Sequence, residues 1–227
     1  MTALSTFAFG PSERVVLVGD SLVKGGISGV TGLSVSWNVP LKTMIDSAFT
    51  GTQNCRCFDA GRPLLWDNQG VSSTDLSYWV AAAPAAVLGK GATVCMFAVG
   101  VNDATNGVTA AQARGRLDAI IGNLWASEPG IRFIVLDAME NGELWPDGAG
   151  PHDAAIDQVN IGLSQACDDL SPSGVITYLP TRAWWFTQIP SYNPTNTNGN
   201  FTLTVDNLHL NGLGAKLQAA YMWSKRG

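Results

Sequence analysis

The chain has 227 residues, of which 46% are hydrophobic and 14% are charged, and its formal net charge is −5. This length and balance predict one domain over residues 1–227 with enough apolar side chains to build a core. The negative charge argues against nucleic acid or an anionic membrane surface as a partner.

The longest apolar region runs from Trp79 toward Val99. Pro84 and the glycines around Lys90 interrupt it, so we expect a helix end, a turn and a buried strand there, and no membrane span. The first residues lack the charged start and apolar segment of a secretory signal, which favours a cytoplasmic location.

The first predicted strand, Val15–Val18, leads into Gly19-Asp20-Ser21-Leu22. Its continuous apolar run is typical of a buried strand. Glycine allows a sharp turn at the strand end, and the start of the next helix can then present the Ser21 hydroxyl as a nucleophile. The alternative is an ordinary turn, because Gly-Asp-Ser is also common turn chemistry.

Strand and helix patterns alternate along the chain, which favours a parallel α/β architecture. A less regular helical pattern covers residues 36–48 despite Pro40, and a well-defined helix begins after a Thr109 cap with Gln112 three residues on. Further helices are expected from Pro151 and after His209, the last with Leu213, Leu217, Ala220 and Tyr221 facing inward. The predicted strands are Val15–Val18, Cys55–Asp59, Thr93–Val99, Phe133–Asp137 and Val175–Leu179.

Two loops carry candidate hydrogen-bond donors for an oxyanion. Gly70, in Asn68-Gln69-Gly70-Val71-Ser72, could bring a backbone N–H close to a ligand. Asn102, in Gly100-Val101-Asn102-Asp103, follows the third strand, where its side-chain amide could donate to a developing oxyanion. Both segments also make good turns, and that alternative stays open for each.

A serine nucleophile needs a base, and the chain has only two histidines. His209 lies three residues after Asp206, a spacing at which the carboxylate can accept the imidazole Nδ1–H and leave Nε2 free for the serine proton. The alternative is a capping aspartate beside a half-buried histidine. His152 has no comparable neighbour.

These four segments together resemble the blocks of the SGNH hydrolases, the superfamily of GDSL esterases and lipases. The blocks are Gly19 to Leu22, Asn68 to Thr74, Gly100 to Asp103 and Asp206 to His209. Ser73 stands where many relatives have a second glycine. The resemblance implies a three-layer α/β/α sandwich around a five-stranded parallel, flavodoxin-like sheet. The α/β-hydrolase fold ranks second, because Val23 replaces the second glycine of its Gly-x-Ser-x-Gly turn.

The resulting hypothesis is a serine esterase with Ser21 as nucleophile, His209 as base and Asp206 as its orienting acid. The oxyanion would be held by Ser21, Gly70 and Asn102, and the reaction needs no metal or organic cofactor. Four cysteines are too few for a disulfide framework, and Cys55-x-Cys57 lacks a second ligand pair, so we expect reduced thiols and no metal site.

The expected substrate is a short-chain acyl ester, such as an O-acetyl group on carbohydrate or on a simple alcohol. The long segment from Pro180 to Val205 is rich in Asn, Thr and Pro and leads into Asp206, so it is a candidate lid or binding wall. Four tryptophans in predicted loops could line the cleft or anchor loops by packing: Trp66, Trp145, Trp184 and Trp185. The alternative functions are a lipase or lysophospholipase, an acyltransferase, or a non-catalytic carbohydrate-binding module.

Overall fold

The computed structural model describes residues 13–26, 28–29, 32–50, 66–139, 152–170, 175–182, 184, 205 and 208–225. Its main sheet contains five parallel strands: β1 (Val15–Gly19), β4 (Trp66–Asn68), β5 (Val94–Ala98), β6 (Arg132–Leu136) and β7 (Ile176–Leu179). Their spatial order is β4-β1-β5-β6-β7. Taken in chain order, these strands lie 2-1-3-4-5 across the sheet, which is the flavodoxin-like order expected from the resemblance.

A helical layer covers each face of this sheet. The central strands β1 and β5 are buried along their whole length, which requires cover on both sides. One group of mutually packed helices is α3 (Leu76–Val87), α4 (Val101–Thr105), α5 (Ala110–Ser127) and α6 (His152–Leu170). The other group is α2 (Asn38–Thr50) with α7 (Gly212–Ser224). A short helix α1 (Ser21–Lys24) follows β1, and β2 (Ser28–Gly29) pairs antiparallel with β3 (Gly32–Leu33).

Four predicted strands and the Thr109 helix are confirmed. In α5 the Thr109 hydroxyl accepts from Gln112 N at 3.3 Å, and the Gln112 side chain accepts from Thr109 N at 2.9 Å. This capping box satisfies two backbone donors that a helix start would otherwise leave unpaired. The expected inward face is fully buried: Ala113, Leu117, Ile120, Ile121 and Leu124.

One strand of the sheet lies where the sequence did not predict one, and the predicted strand Cys55–Asp59 stays a prediction. Residues 55–59 lie outside the described part of the chain, and the strand that pairs with β1 is Trp66–Asn68. Its sequence, Trp-Asp-Asn, has neither an apolar run nor an alternating pattern. Pairing with β1 makes these three residues a strand, and this long-range contact leaves no local signal.

Two helical details also differ from expectation. Helix α3 continues through Pro84 to Val87, because packing of its buried face outweighs the one backbone hydrogen bond that a proline removes. Helix α7 turns a partly different side inward: Tyr221 is buried as predicted, whereas Ala220 is exposed and Leu213 is 52% exposed. Its buried residues are Gly214, Ala215, Gln218, Ala219, Tyr221 and Met222. Apolar side chains lie on all sides of this helix, so hydrophobicity alone does not predict which side is buried. The small residues on the buried side allow the helix to pack closest to its neighbours.

We expect Thr109→Ala to lower the free energy of unfolding by about 1 kcal/mol, because it removes the acceptor of the α5 cap. Urea unfolding of the purified protein measures this loss. Thr109→Ser keeps the hydroxyl and serves as the control, which should stay close to the parent. Equal stability of the alanine and parent proteins would contradict the stabilising role of this cap.

Candidate active site

The candidate nucleophile lies where β1 turns into α1. Ser21 is the first residue of α1, and Asp20 caps the helix by accepting from Leu22 N at 2.9 Å. Gly25 N donates to Ser21 O at 2.9 Å and closes the single helical turn. The turn therefore holds Ser21 at the carboxyl end of β1, the edge at which open α/β sheets bind ligands.

Two asparagines hold the far end of this short helix. Asn38 Nδ2 and Asn68 Nδ2 both donate to the Val23 carbonyl, at 3.0 and 2.8 Å. Asn38 belongs to α2 and Asn68 to β4, so α1 is fixed from both sides. Neither residue was predicted to belong to the site. Asn68 stands in one of the four quoted blocks, whereas no sequence signal marks Asn38.

His209 is brought to Ser21 from the other end of the chain. His209 Nε2 and Ser21 Oγ are 2.8 Å apart, a hydrogen-bonding distance. Val205 N donates to His209 O at 2.7 Å, and Val35 N donates to Leu210 O at 2.8 Å. These backbone contacts fix the peptide around His209. Asp206 lies outside the described residues, so its place beside His209 stays a prediction.

The loop that carries Gly70 lies directly against the turn of residues 19–21, which carries Ser21 and is called the nucleophile turn below. Val71 N donates to Gly19 O at 2.8 Å, and Gly70 N donates to Asn68 Oδ1 at 2.9 Å. A Cβ at Gly70 would lie 2.5 Å from Lys24 N, so any side chain here would displace the backbone of α1. Glycine at this position is therefore a requirement of close backbone approach.

Ser73 has a backbone conformation that favours glycine. Its φ is 62°, in the left-handed region, and it is the only non-glycine residue with positive φ in the described ranges. A serine there carries a steric cost of about 1–2 kcal/mol. The loop keeps this shape because Thr74 Oγ1 donates to Val71 O at 2.8 Å and accepts from Trp79 Nε1 at 3.1 Å.

Asn102 lies at the start of α4, beyond the end of β5. Gly100, just before it, has φ +123°, and a Cβ there would lie 2.9 Å from Ala138 Cβ and from Val159 Cγ1. Asn102 Nδ2 donates to Thr74 O at 2.8 Å. This contact joins the Asn102 turn to the Gly70 loop, and the second hydrogen of the same amide nitrogen remains for a ligand.

Asp103 was not assigned a role, although it stands beside Asn102 in the quoted block. Its side chain is buried and accepts from Leu76 N at 2.9 Å and from Arg116 Nη1 at 3.1 Å. It thereby fastens α4 to the start of α3 and to α5. Burial raises the pKa of Asp103 to about 6, against the lowering effects of the Leu76 N–H and of Arg116.

Two of the four tryptophans predicted to lie in loops belong to the described residues. The prediction that Trp66 lies in a loop is wrong, because this residue belongs to β4. Its side chain is 8% exposed, and its Nε1 lies 3.4 Å from Asn38 Oδ1. This burial agrees with the packing alternative. Trp184 is half-buried and stacks on Tyr221 with ring centroids 4.7 Å apart. Trp145 and Trp185 lie outside the described residues.

A serine and a histidine thus lie in hydrogen-bond contact at the carboxyl edge of an open parallel sheet, an arrangement that can support nucleophilic catalysis. The sequence model of the GDSL-like lipase/acylhydrolase family matches residues 17–217. The chain belongs to this family, and it is an enzyme, a hydrolase of the esterase class. Helices long and apolar enough to cross a bilayer are absent from the described ranges.

Solved structures share this fold over nearly the whole chain. A GDSL-like lipase from Parabacteroides merdae has a TM-score of 0.70 at 14% identity, covering 98% of this chain and 97% of its own. An acetyl xylan esterase, AlAXEase, has a TM-score of 0.68 at 20% identity, covering 93% and 98%. A variant of an acetyl xylan esterase from Geobacillus stearothermophilus has a TM-score of 0.71 at 13% identity, covering 96% and 98%. A search of curated protein sequences finds no match.

Asp20 makes a pH-dependent contribution to stability. Burial raises the pKa of its carboxyl to about 7 from 3.8, although the Leu22 N–H and the His209 charge act in the opposite direction. Between these two values the native state binds a proton that the unfolded state has released. The free energy of unfolding therefore falls as pH rises from about 4 to about 7.

Asp20→Asn keeps a capping oxygen but cannot titrate. We therefore expect its free energy of unfolding to fall less than that of the parent as pH rises from 4 to 7. Urea unfolding at several pH values in this window measures the slopes. Asp168→Asn, on the exposed side of α6, controls for the change of net charge. Parallel slopes in the Asp20→Asn and parent proteins would show that Asp20 does not titrate in this range.

Proposed function

We propose that the protein is a carboxylesterase that hydrolyses short-chain acyl esters through Ser21, His209 and Asp206. The observation that carries this proposal is the 2.8 Å contact between Ser21 Oγ and His209 Nε2. A hydroxyl at this distance can pass its proton to a neutral imidazole as it attacks a carbonyl carbon. The favoured substrate class is O-acetyl groups on carbohydrate.

The reaction proceeds in two halves. Ser21 Oγ bonds to the ester carbonyl carbon while His209 Nε2 takes its proton, and the tetrahedral intermediate then expels the alcohol, which leaves with that proton. Water attacks the acyl-serine in the same manner, with His209 again as base, and releases the carboxylic acid. Asp206, three residues before His209 in the chain, would orient the imidazole and stabilise its charged form.

Three donors are proposed for the oxyanion: Ser21 N–H, Gly70 N–H and the Asn102 amide. Among the described residues no acceptor takes the Ser21 N–H, and the Asn102 amide has one hydrogen left after its bond to Thr74. The Gly70 N–H already donates to Asn68 Oδ1, so it must leave or share that acceptor. We therefore assign most of the stabilisation to Ser21 and Asn102.

The substrate class draws support from the relatives and from the loop beyond β7. Two of the structural relatives reported above are acetyl xylan esterases, which agrees with a small acyl group on a sugar. Trp184 offers an aromatic surface just after β7 at the carboxyl edge, with one ring face covered by Tyr221. Aromatic faces of this kind also stabilise loops by packing, so its contact with substrate is part of the proposal.

We expect p-nitrophenyl esters from acetate to palmitate to be hydrolysed with an optimum at acetate or butyrate. Ser21→Ala should lower kcat at least about a thousandfold, since a triad loses most of its rate when one member is removed. His209→Ala and Asp206→Asn should also lose activity at unchanged thermal stability. Ser127→Ala, an exposed serine at the end of α5, is the matched control and should keep the parental rate.

A long-chain optimum would favour a lipase or lysophospholipase with the same residues. Transfer of the acyl group to an added alcohol in preference to water would make the protein an acyltransferase. Turnover that is equal in the parent and Ser21→Ala proteins, or absent from both, would overturn the proposal. Labelling by a fluorophosphonate, followed by mass spectrometry of the modified peptide, identifies the nucleophile independently of the ester.

We expect Asn102→Ala to lower kcat by about a hundredfold to a thousandfold with little change in KM, because its amide acts on charge that develops only in the transition state. Steady-state kinetics on the best short ester measures both constants. Asn106→Ala removes an exposed amide on the same turn, one that donates to Asp75 at 3.4 Å, and is the matched control. An increase of KM alone would assign Asn102 to substrate binding.

A further inference from the structure

A small internal cavity lies below the nucleophile turn, at the carboxyl ends of β1, β5 and β6. Its volume is about 10 Å³, close to the room that a single buried water needs. Most of its lining is apolar, but three carboxyl or amide side chains reach it: Asp20, Asp137 and Gln218. An apolar cavity of this size stays dry, whereas polar partners favour a bound water.

Gln218 is the member of this group whose side-chain oxygen has no hydrogen-bond donor among the described residues. Its side chain lies on the buried face of α7 and is 1% exposed. Its Oε1 atom is fully buried and accepts no hydrogen bond from any described residue. Buried side-chain oxygens in native proteins almost always have a partner, either protein or ordered water. A donor inside the cavity would supply it.

The two carboxyls differ in how far their oxygens are already occupied. Asp137 Oδ1 accepts from Thr181 N at 2.7 Å and from the Thr181 hydroxyl, and Arg182 N donates to both of its oxygens at 3.1 Å. Asp20 accepts from Leu22 N on Oδ1 and from its own backbone N–H, and no other described residue donates to it. Asp20 is therefore the better partner for a water that also binds Gln218.

We propose that Gln218 is a positioning residue, which holds one water molecule in this cavity and through it joins helix α7 to the carboxyl of Asp20. The water donates one hydrogen to Gln218 Oε1 and the other to Asp20. This inference rests on the proposed function. Helix α7 begins just after His209, and Asp20 precedes Ser21, so the bridge ties the segment that carries the base to the turn that carries the nucleophile.

The amide is needed for this role, because packing alone would be better served by an apolar side chain. Around Gln218 the buried face of α7 is made of small and apolar residues, among them Ala215, Ala219 and Met222. A methionine at position 218 would have a similar length and would fill the cavity without a polar atom to satisfy. Gln218→Met therefore removes the water site while it preserves packing.

We expect Gln218→Met to lower kcat for p-nitrophenyl acetate about tenfold with unchanged KM, and to slow fluorophosphonate labelling of Ser21 by the same factor. The midpoint of thermal unfolding should stay the same or rise. Leu124→Ala, in the buried face of α5, is the control: it should unfold at lower temperature and keep the parental kcat. An unchanged rate in Gln218→Met would overturn the proposal.

A double-mutant cycle tests the partner. If the water links Gln218 to Asp20, the rate losses of Gln218→Met and Asp20→Asn should be far from multiplicative in the combined variant. Independent, multiplicative losses would overturn the link. Turnover that does not depend on Ser21 would overturn the proposed function, whereas Ser21-dependent turnover indifferent to residue 218 would overturn this inference alone.

A crystal structure at atomic resolution provides a test without any activity. A water within hydrogen-bonding distance of both Gln218 Oε1 and Asp20 would support the proposal, and its loss in Gln218→Met crystals would complete the argument. A dry cavity in the parent protein, or a Gln218 side chain turned toward another partner, would overturn it even if the variants fail to fold.

Discussion

The parallel register of β1 with its two neighbours is the constraint on which the candidate site depends. Leu17 pairs with Asn68 on one side and with Met96 on the other, and Gly19 pairs with Ala98. Because the three strands run in the same direction and end at nearly the same level, the chain leaves each of them at one edge of the sheet. The turns that follow can then exchange backbone hydrogen bonds, as Val71 N and Gly19 O do.

Buried carboxyl groups hold this edge together. Asp20 caps the nucleophile helix, Asp103 fastens α4 to α3 and α5, and Asp137 accepts from the backbone that follows β7. Burial raises the pKa of each, to about 7, 6 and 7 respectively. Each carboxyl therefore loses part of its hydration on burial and gains hydrogen bonds that fix the geometry of a loop. Loops held in this way suit the proposed site, which must align a nucleophile, a base and an oxyanion.

The family and the geometry support different parts of the functional argument. Membership of the GDSL-like lipase/acylhydrolase family makes the protein an ester hydrolase, and the likeness to solved structures at 13–20% identity concerns the fold. The contact between Ser21 and His209 is a feature of this chain's own structure, and it supports the proposed assignment of nucleophile and base. The substrate class remains a proposal, in which Trp184, the first described aromatic side chain after β7, is a candidate contact.

Much of the fold was readable from local pattern. Continuous apolar runs identified β1, β5, β6 and β7, and the Thr109 capping box with its 3.6-residue periodicity identified α5 and its buried face. Trp66–Asn68 could not be recognised in this way, since only pairing with β1 makes it a strand. The buried face of α7 was also beyond local pattern, because apolar residues surround that helix and its neighbours select the small ones.

The sequence by itself determined which chemical groups are available: one serine after a buried strand, one histidine three residues after an aspartate, and an asparagine at another strand's end. Their types and their places at strand ends follow from local rules of strand, turn and cap. Only the tertiary structure decided that Ser21 and His209 touch, that Asn38 and Asn68 meet on Val23, and that Gln218 faces a cavity beside Asp20. These contacts join residues far apart in the chain, and their geometry is set by the packing of whole elements, which no local pattern encodes.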